Sequence, residues 1–207
     1  MSDENKKNRR GKSEEEFMEK KKIVFFGDSV TQGCFEILRE NGEFKLIVDQ
    51  PSCYGEKLTS LLKNRYKNVQ FETVNSGISG DGLIEAEARV DRDVIAHKPD
   101  ILIFCFMLNN MSRRDTEWYG EHLEVLFDKF KSAGITTIVM SSNMVNKYVA
   151  PDTPEVHIEM AKDLVECQNG GVLDSYAEKL KKEAEKYGFY FVDAYGAWKK
   201  LDSYGID

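Results

Sequence analysis

Ile23-Val24-Phe25-Phe26-Gly27-Asp28-Ser29-Val30-Thr31-Gln32-Gly33 joins an unbroken apolar run to a turn that carries a hydroxyl. A strand with one wet face alternates apolar and polar residues. A run without alternation is buried on both faces, the mark of a parallel sheet covered by helices. Four more strand-length runs follow at residues 69–74, 101–106, 135–141 and 189–192. Between them apolar residues recur at helical spacing: Leu58, Leu61 and Leu62; Leu83, Ala86, Val90 and Val94; Leu123, Leu126, Phe127 and Phe130; Ile158, Ala161, Leu164 and Val165; Ala177, Leu180, Ala184 and Tyr187. Gly170 and Gly171 interrupt the last two stripes, and a short helix is expected around residues 195–201. Five strands alternating with helices predict a three-layer α/β/α sandwich, a doubly wound parallel sheet in one domain.

Composition narrows the function. The chain has 207 residues, 41% of them apolar and 31% charged, and its formal charge is −7. A basic nucleic-acid footprint is not expected from that balance. No apolar stretch approaches the roughly 18–20 residues of a membrane span. Residues 1–22 carry eight Lys/Arg against six Asp/Glu and almost nothing apolar. Residues 1–21 read as a charged, solvated tail that turns helical near residues 14–22, with no apolar stretch of a secretory signal. A basic cluster at Lys6, Lys7, Arg9 and Arg10 is the one feature there that would suit an acidic partner. Cys34, Cys53, Cys105 and Cys167 form no CxxC pair, so zinc and iron–sulfur ligation have no spacing support, and reduced thiols in a cytoplasmic protein are expected.

In a doubly wound sheet a ligand sits beyond the carboxyl ends of the strands. That rule selects residues 28–33, 75–82, 107–112 and 141–155. The first places Ser29 on a strand-to-loop turn; the competing role is a helix cap supplied by Asp28 or Ser29. The second, Asn75-Ser76-Gly77-Ile78-Ser79-Gly80-Asp81-Gly82, is glycine-rich, which suits either close backbone approach to a ligand or a flexible loop. The third ends in Asn109-Asn110, able to donate into a cleft or to form an Asx turn. There is no GxxxxGK[ST] and no GxGxxG, so neither a phosphate-binding loop nor a dinucleotide site is supported.

Taken together these blocks resemble the SGNH hydrolases, also called the GDSL lipase/esterase family. Gly27-Asp28-Ser29, continuing through Gln32-Gly33, is similar to the nucleophile block. Residues 75–81 are similar to the second block, whose glycine falls on Gly80. Met107-Leu108-Asn109-Asn110 stands where Gly-x-Asn-Asp is usual, which places the family asparagine at Asn109. The resemblance implies a serine ester hydrolase on a flavodoxin-like sheet of order 2-1-3-4-5. Ser29 would form an acyl-enzyme, and the Ser29 N–H, Gly80 N–H and Asn109 side chain would be the oxyanion donors. Asp28 would organise the turn. Acetyl or short acyl groups on a carbohydrate are the implied targets, with a lipid or thioester as alternatives and no metal or organic cofactor.

Three departures stand beside the resemblance. Met107 replaces a glycine and either narrows the cleft or fills core. Asn110 replaces an aspartate and keeps a hydrogen bond without the charge. The family's late Asp-x-x-His block has no counterpart after residue 157: His97 falls on the wrong side of the sheet, His122 reads as a surface residue of the third helix, and His157 lies at the active-site edge. The resemblance therefore expects a domain over residues 22–207 lacking its Asp/His block and inactive in this form. The alternatives are recruitment of His157, a catalytically dead relative that binds acyl or sugar ligands, or a flavodoxin-like redox or regulatory domain. Residues 34–50 and 141–155 read as loops without a specificity code.

Overall fold

The computed structural model describes residues 18–38, 41 and 43–206. The expected helical turns over residues 14–17 and the basic cluster at residues 6–10 lie outside them. The first strand, β1 (Glu19–Gly27), leads into one turn of helix, α1 (Ser29–Gln32), and then a two-stranded ribbon, β2 (Cys34–Leu38) and β3 (Phe44–Val48). There follow α2 (Tyr54–Arg65), β4 (Val69–Gly77), α3 (Leu83–Asp93), β5 (Ile101–Cys105), α4 (Thr116–Ser132) and β6 (Thr136–Met140). The chain continues through α5 (Ile158–Asn169), α6 (Val172–Tyr187), β7 (Tyr190–Val192) and α7 (Ala194–Asp202).

Five strands form one sheet in the order β4-β1-β5-β6-β7, and each neighbouring pair is parallel. In terms of sheet strands this is the expected 2-1-3-4-5 order. The chain starts inside the sheet, adds a strand on one side, crosses over and fills the other. The reversal between β1 and β5 leaves a crevice at their carboxyl ends.

The two faces are unequal. Val24, Phe26, Leu102, Phe104 and Val139 point into a large core with side chains of α3, α4 and α6. Phe104 is fully buried and its ring meets Phe106, Phe127 and Phe130 at centroid distances of 5.2–5.8 Å. On the opposite face Ile23, Phe25 and Ile103 form a smaller cluster with Tyr54, Leu58 and Leu62 of α2. Tyr190 and Val192 of the last strand remain exposed.

Two expectations are corrected. Residues 19–22 are strand, not helix: Glu19 to Lys22 pair in register with Val69 to Glu72, and the Lys22 Nζ lies 3.0 Å from Glu72. Charged side chains at the amino end of a strand stay wet while the backbone completes the ladder. Residues 34–50 are not an irregular loop, because Cys34 to Leu38 pair antiparallel with Phe44 to Val48.

Truncation of Phe104 removes the ring on which three others pack. Phe104→Ala is expected to lower the unfolding free energy by about 3–5 kcal/mol. Urea denaturation read by tryptophan fluorescence and circular dichroism measures it.

Candidate active site

The carboxyl ends of β1 and β4 close on each other at a pair of glycines. Gly27 and Gly77 are the last residues of the two strands and stand opposite each other in register. A Cβ on Gly27 would lie 2.0 Å from the Thr31 Oγ1 and 2.6 Å from the Cys105 carbonyl oxygen. One on Gly77 would lie 2.3 Å from the backbone nitrogen of Gln32. Only bare backbone lets α1, the turn that carries Ser29, settle onto the sheet end.

The turn is then pinned by hydrogen bonds. Asp28 caps α1 by accepting from the Val30 N–H at 3.0 Å, and Gly33 ends it with φ +86°. Asn75 donates its side-chain amide to the Thr31 carbonyl at 2.9 Å and accepts the Gly77 N–H at 2.9 Å. Gln32 accepts the Ser79 N–H at 2.8 Å, and the Ile78 N–H donates to the Gly27 carbonyl at 3.1 Å. Thus the first and second sequence blocks are stitched together residue by residue. Ser29 sits half-buried at the start of α1.

Gly80 has φ +85°, and a Cβ there would meet nothing within 4 Å. It occupies the left-handed region that glycine tolerates best, beside open space. The third block enters from β5: Asn109 is exposed, and its side-chain amide donates to the Asp81 carbonyl at 2.9 Å. The asparagine is therefore tied to the residue after Gly80. Asn110 is buried and accepts the Leu83 N–H at 3.2 Å, a bond to the start of α3 rather than the local one expected of it. Met107 is fully buried in the large core, so it fills core and does not line the cleft.

Arg89 of α3 is a buried cation at this sheet end that motif reading missed. Its side chain is 7% exposed. It donates to the Asp81 carboxylate at 2.6 Å, to the carbonyls of Ser76 at 2.8 Å and Gly27 at 3.0 Å, and to the Asp93 carboxylate at 3.0 Å. The guanidinium carbon lies 4.6 Å from the Phe26 ring centroid and 5.7 Å from that of Phe106. The readable signal was a charge on the apolar border of α3, three residues after Ala86 and next to Val90.

The three histidines stand on other elements. His97 ends a 3-10 turn, Ile95–His97, at the amino end of β5, as expected. His122 is not a free surface residue: its Nδ1 lies 2.5 Å from Glu87, and its ring packs 4.2 Å from that of Trp118. His157 closes a 3-10 turn, Glu155–His157, just before α5.

Electrostatics mark one further group. Asp28 is 1% exposed, and its second carboxylate oxygen has no hydrogen-bond partner. Burial pushes its pKa up from the usual 3.8 to about 6, a rise the Val30 N–H only partly offsets and the Asp81 charge reinforces. The buried thiol of Cys105 is pushed up to about 12, by burial first and then by Asp28. Among the described residues no group of three His, Cys, Asp or Glu is arranged to hold a metal ion.

Two outcomes are expected. Gly77→Ala forces α1 off the sheet end and costs about 1–3 kcal/mol of stability, measured by urea unfolding. Asp28, with its folded pKa raised, keeps its proton when the unfolded chain has lost it. Its contribution is full below pH 3.8 and is lost as pH rises through about 6. The amide of an Asp28→Asn variant does not titrate. The unfolding free energy of wild type relative to Asp28→Asn is expected to fall by about 3 kcal/mol between about pH 3.5 and pH 7. Equal differences at both pH values would show an ordinary carboxyl.

An acetylxylan esterase of Geobacillus stearothermophilus is 26% identical over 181 residues, covering 87% of this chain and 78% of the relative. A crystal structure of an acetylxylan esterase from Geobacillus stearothermophilus superposes with a TM-score of 0.64 at 21% identity, covering 90% of this chain and 82% of that one. An α/β hydrolase from the metagenome of Lake Arreo, Spain, gives 0.67 at 22% identity, covering 90% and 83%. The sequence pattern of the GDSL-like lipase/acylhydrolase family matches residues 25–205. With that match spanning most of the chain, and with the glycine-pinned serine turn at its start, the protein belongs to the GDSL-like lipase/acylhydrolase family of ester-hydrolysing enzymes.

Proposed function

We propose that Ser29 is the nucleophile of an acyl-enzyme mechanism that removes acetyl groups from a carbohydrate. The observation that carries this reading is the stitching of three loops into one cluster: α1 with Ser29, the Gly80 loop held to it through Gln32 and Ile78, and Asn109 held to that loop through Asp81. The resemblance to acetylxylan esterases supports the acetyl group and the sugar.

In this reading the Ser29 Oγ attacks the ester carbonyl carbon and its proton passes to a base. The carbonyl oxygen becomes an oxyanion that takes hydrogen bonds from the Ser29 N–H, the Gly80 N–H and the Asn109 amide. Collapse expels the sugar hydroxyl, which takes up the proton. Water attacks the acyl-enzyme by the same route and releases acetate. Preplaced donors need no reorganisation as charge develops, and this accounts for most of their benefit. A serine at its ordinary pKa needs a base within reach. His122 is held by Glu87, and His97 lies at the amino end of β5. His157 ends the 3-10 turn Glu155–His157 between β6 and α5. Comparison of Ser29 labelling in wild type and His157→Ala decides its part: loss of labelling assigns it the proton, and an unchanged rate removes it.

A second reading, a longer acyl chain, is favoured by one observation. The ribbon that directly follows α1 exposes Phe35, Leu46 and Val48, and its base is tied back to the turn by the Asp49 N–H donating to the Gly33 carbonyl.

The deciding experiment treats the protein with a fluorophosphonate and maps the adduct by mass spectrometry, alongside acetate release from acetylated xylo-oligosaccharides. Adduct on Ser29, lost in Ser29→Ala, is expected. Saturable binding of the oligosaccharide without adduct or acetate would instead indicate a ligand-binding protein. Asn109→Ala is expected to lower kcat by about 10²–10³-fold. A 4-nitrophenyl ester series separates the two acyl readings by chain-length preference.

A further inference from the structure

Three of the four contacts of Arg89 reach outside its own helix, and the fourth, to Asp93, is an i,i+4 pair within α3. Its four acceptors belong to four different pieces of chain. The Gly27 carbonyl closes β1, one residue before Asp28 and two before Ser29. The Ser76 carbonyl lies at the end of β4. The Asp81 carboxylate follows Gly80 in the loop, and Asp93 ends α3. The Gly27 carbonyl also accepts the Ile78 N–H, and the Asp81 carbonyl accepts the Asn109 amide. One planar cation is thereby wired to every element that bears a catalytic group in the proposed mechanism.

We propose that Arg89 is a positioning residue for ester hydrolysis, fixing the Ser29 turn, the Gly80 N–H and the Asn109 amide relative to one another through the Gly27 carbonyl and Asp81. The inference rests on the reading of Ser29, Gly80 and Asn109 given above. Arg89 is buried behind the loops against the Phe26 and Phe106 rings and acts through its partners. The role requires a fork of donors in one plane. A lysine presents a single point of charge and cannot reach two carbonyls and two carboxylates together. Displacing an oxyanion donor by about 1 Å is enough to cost on the order of 100-fold in rate.

Asp81 and Asp93 allow a test that separates positioning from plain stability. Each is a carboxylate on the same guanidinium, and each has a side chain 15% exposed. Only Asp81 belongs to the loop that carries Gly80. Hydrolysis of 4-nitrophenyl acetate and urea unfolding are measured for wild type, Ser29→Ala, Arg89→Lys, Asp81→Asn and Asp93→Asn. Arg89→Lys and Asp81→Asn are expected to lower kcat by about 100-fold with little change in KM, whereas Asp93→Asn loses stability and keeps kcat. Wild-type kcat in Asp81→Asn, or equal losses in Asp81→Asn and Asp93→Asn, overturns the proposal. If Arg89→Lys does not fold, the aspartate pair still decides. Turnover that survives Ser29→Ala, or no turnover in wild type, overturns the reading of Ser29 and this inference with it. Ser29-dependent turnover with an unaffected Asp81→Asn overturns the positioning role alone.

Discussion

A guanidinium withdrawn from water needs acceptors for its N–H donors, and the end of this sheet is organised to provide four. Arg89 finds two carboxylates and two main-chain carbonyls, with aromatic rings beside it. Removing one partner of such a buried set typically costs several kcal/mol, because the charge left behind has no water to turn to. The constraint acts in both directions. The cation requires carbonyls of β1 and β4 to face it, and those carbonyls in turn fix how the chain leaves each strand.

The glycine pair supplies the complementary, steric half of the arrangement. Gly27 and Gly77 let α1 lie on the sheet end. Asn75 then locks it with both ends of its side-chain amide, and Gln32 with its side-chain carbonyl oxygen. Close packing makes room and hydrogen bonds set direction. Asp28 shows the strain this compactness brings: a carboxylate under the turn with one oxygen unpartnered, held against its preference for water.

Much of this was legible in the residues. The central strands β1 and β5 were plain because their carboxyl halves are buried on both faces, so apolar runs appear there without alternation. The serine turn, the glycine loop and Asn109 were legible because turn chemistry is local. The ribbon of β2 and β3 escaped notice because Phe35, Leu46 and Val48 are exposed and follow no burial period. Met107 stayed ambiguous because its burial in the large core depends on neighbours distant in sequence, which spacing does not reveal. Arg89 was hardest, since a charged residue on an amphipathic helix ordinarily faces solvent, and its partners lie up to 62 residues away.

The open space beside Gly80 has a consequence for how such a site changes over generations. A donor that is a backbone N–H has no codon of its own; substitution can shift it but cannot replace it. The left-handed glycine is held by its conformation, and the space where a Cβ would stand is open. On the proposed mechanism, drift in the side chains that rim the cleft would retune what fits there while the Gly80 N–H stays in place. Chemistry of this kind resides in the backbone and preference is written in the side chains, so relatives at about one-quarter identity can share a reaction without sharing a substrate.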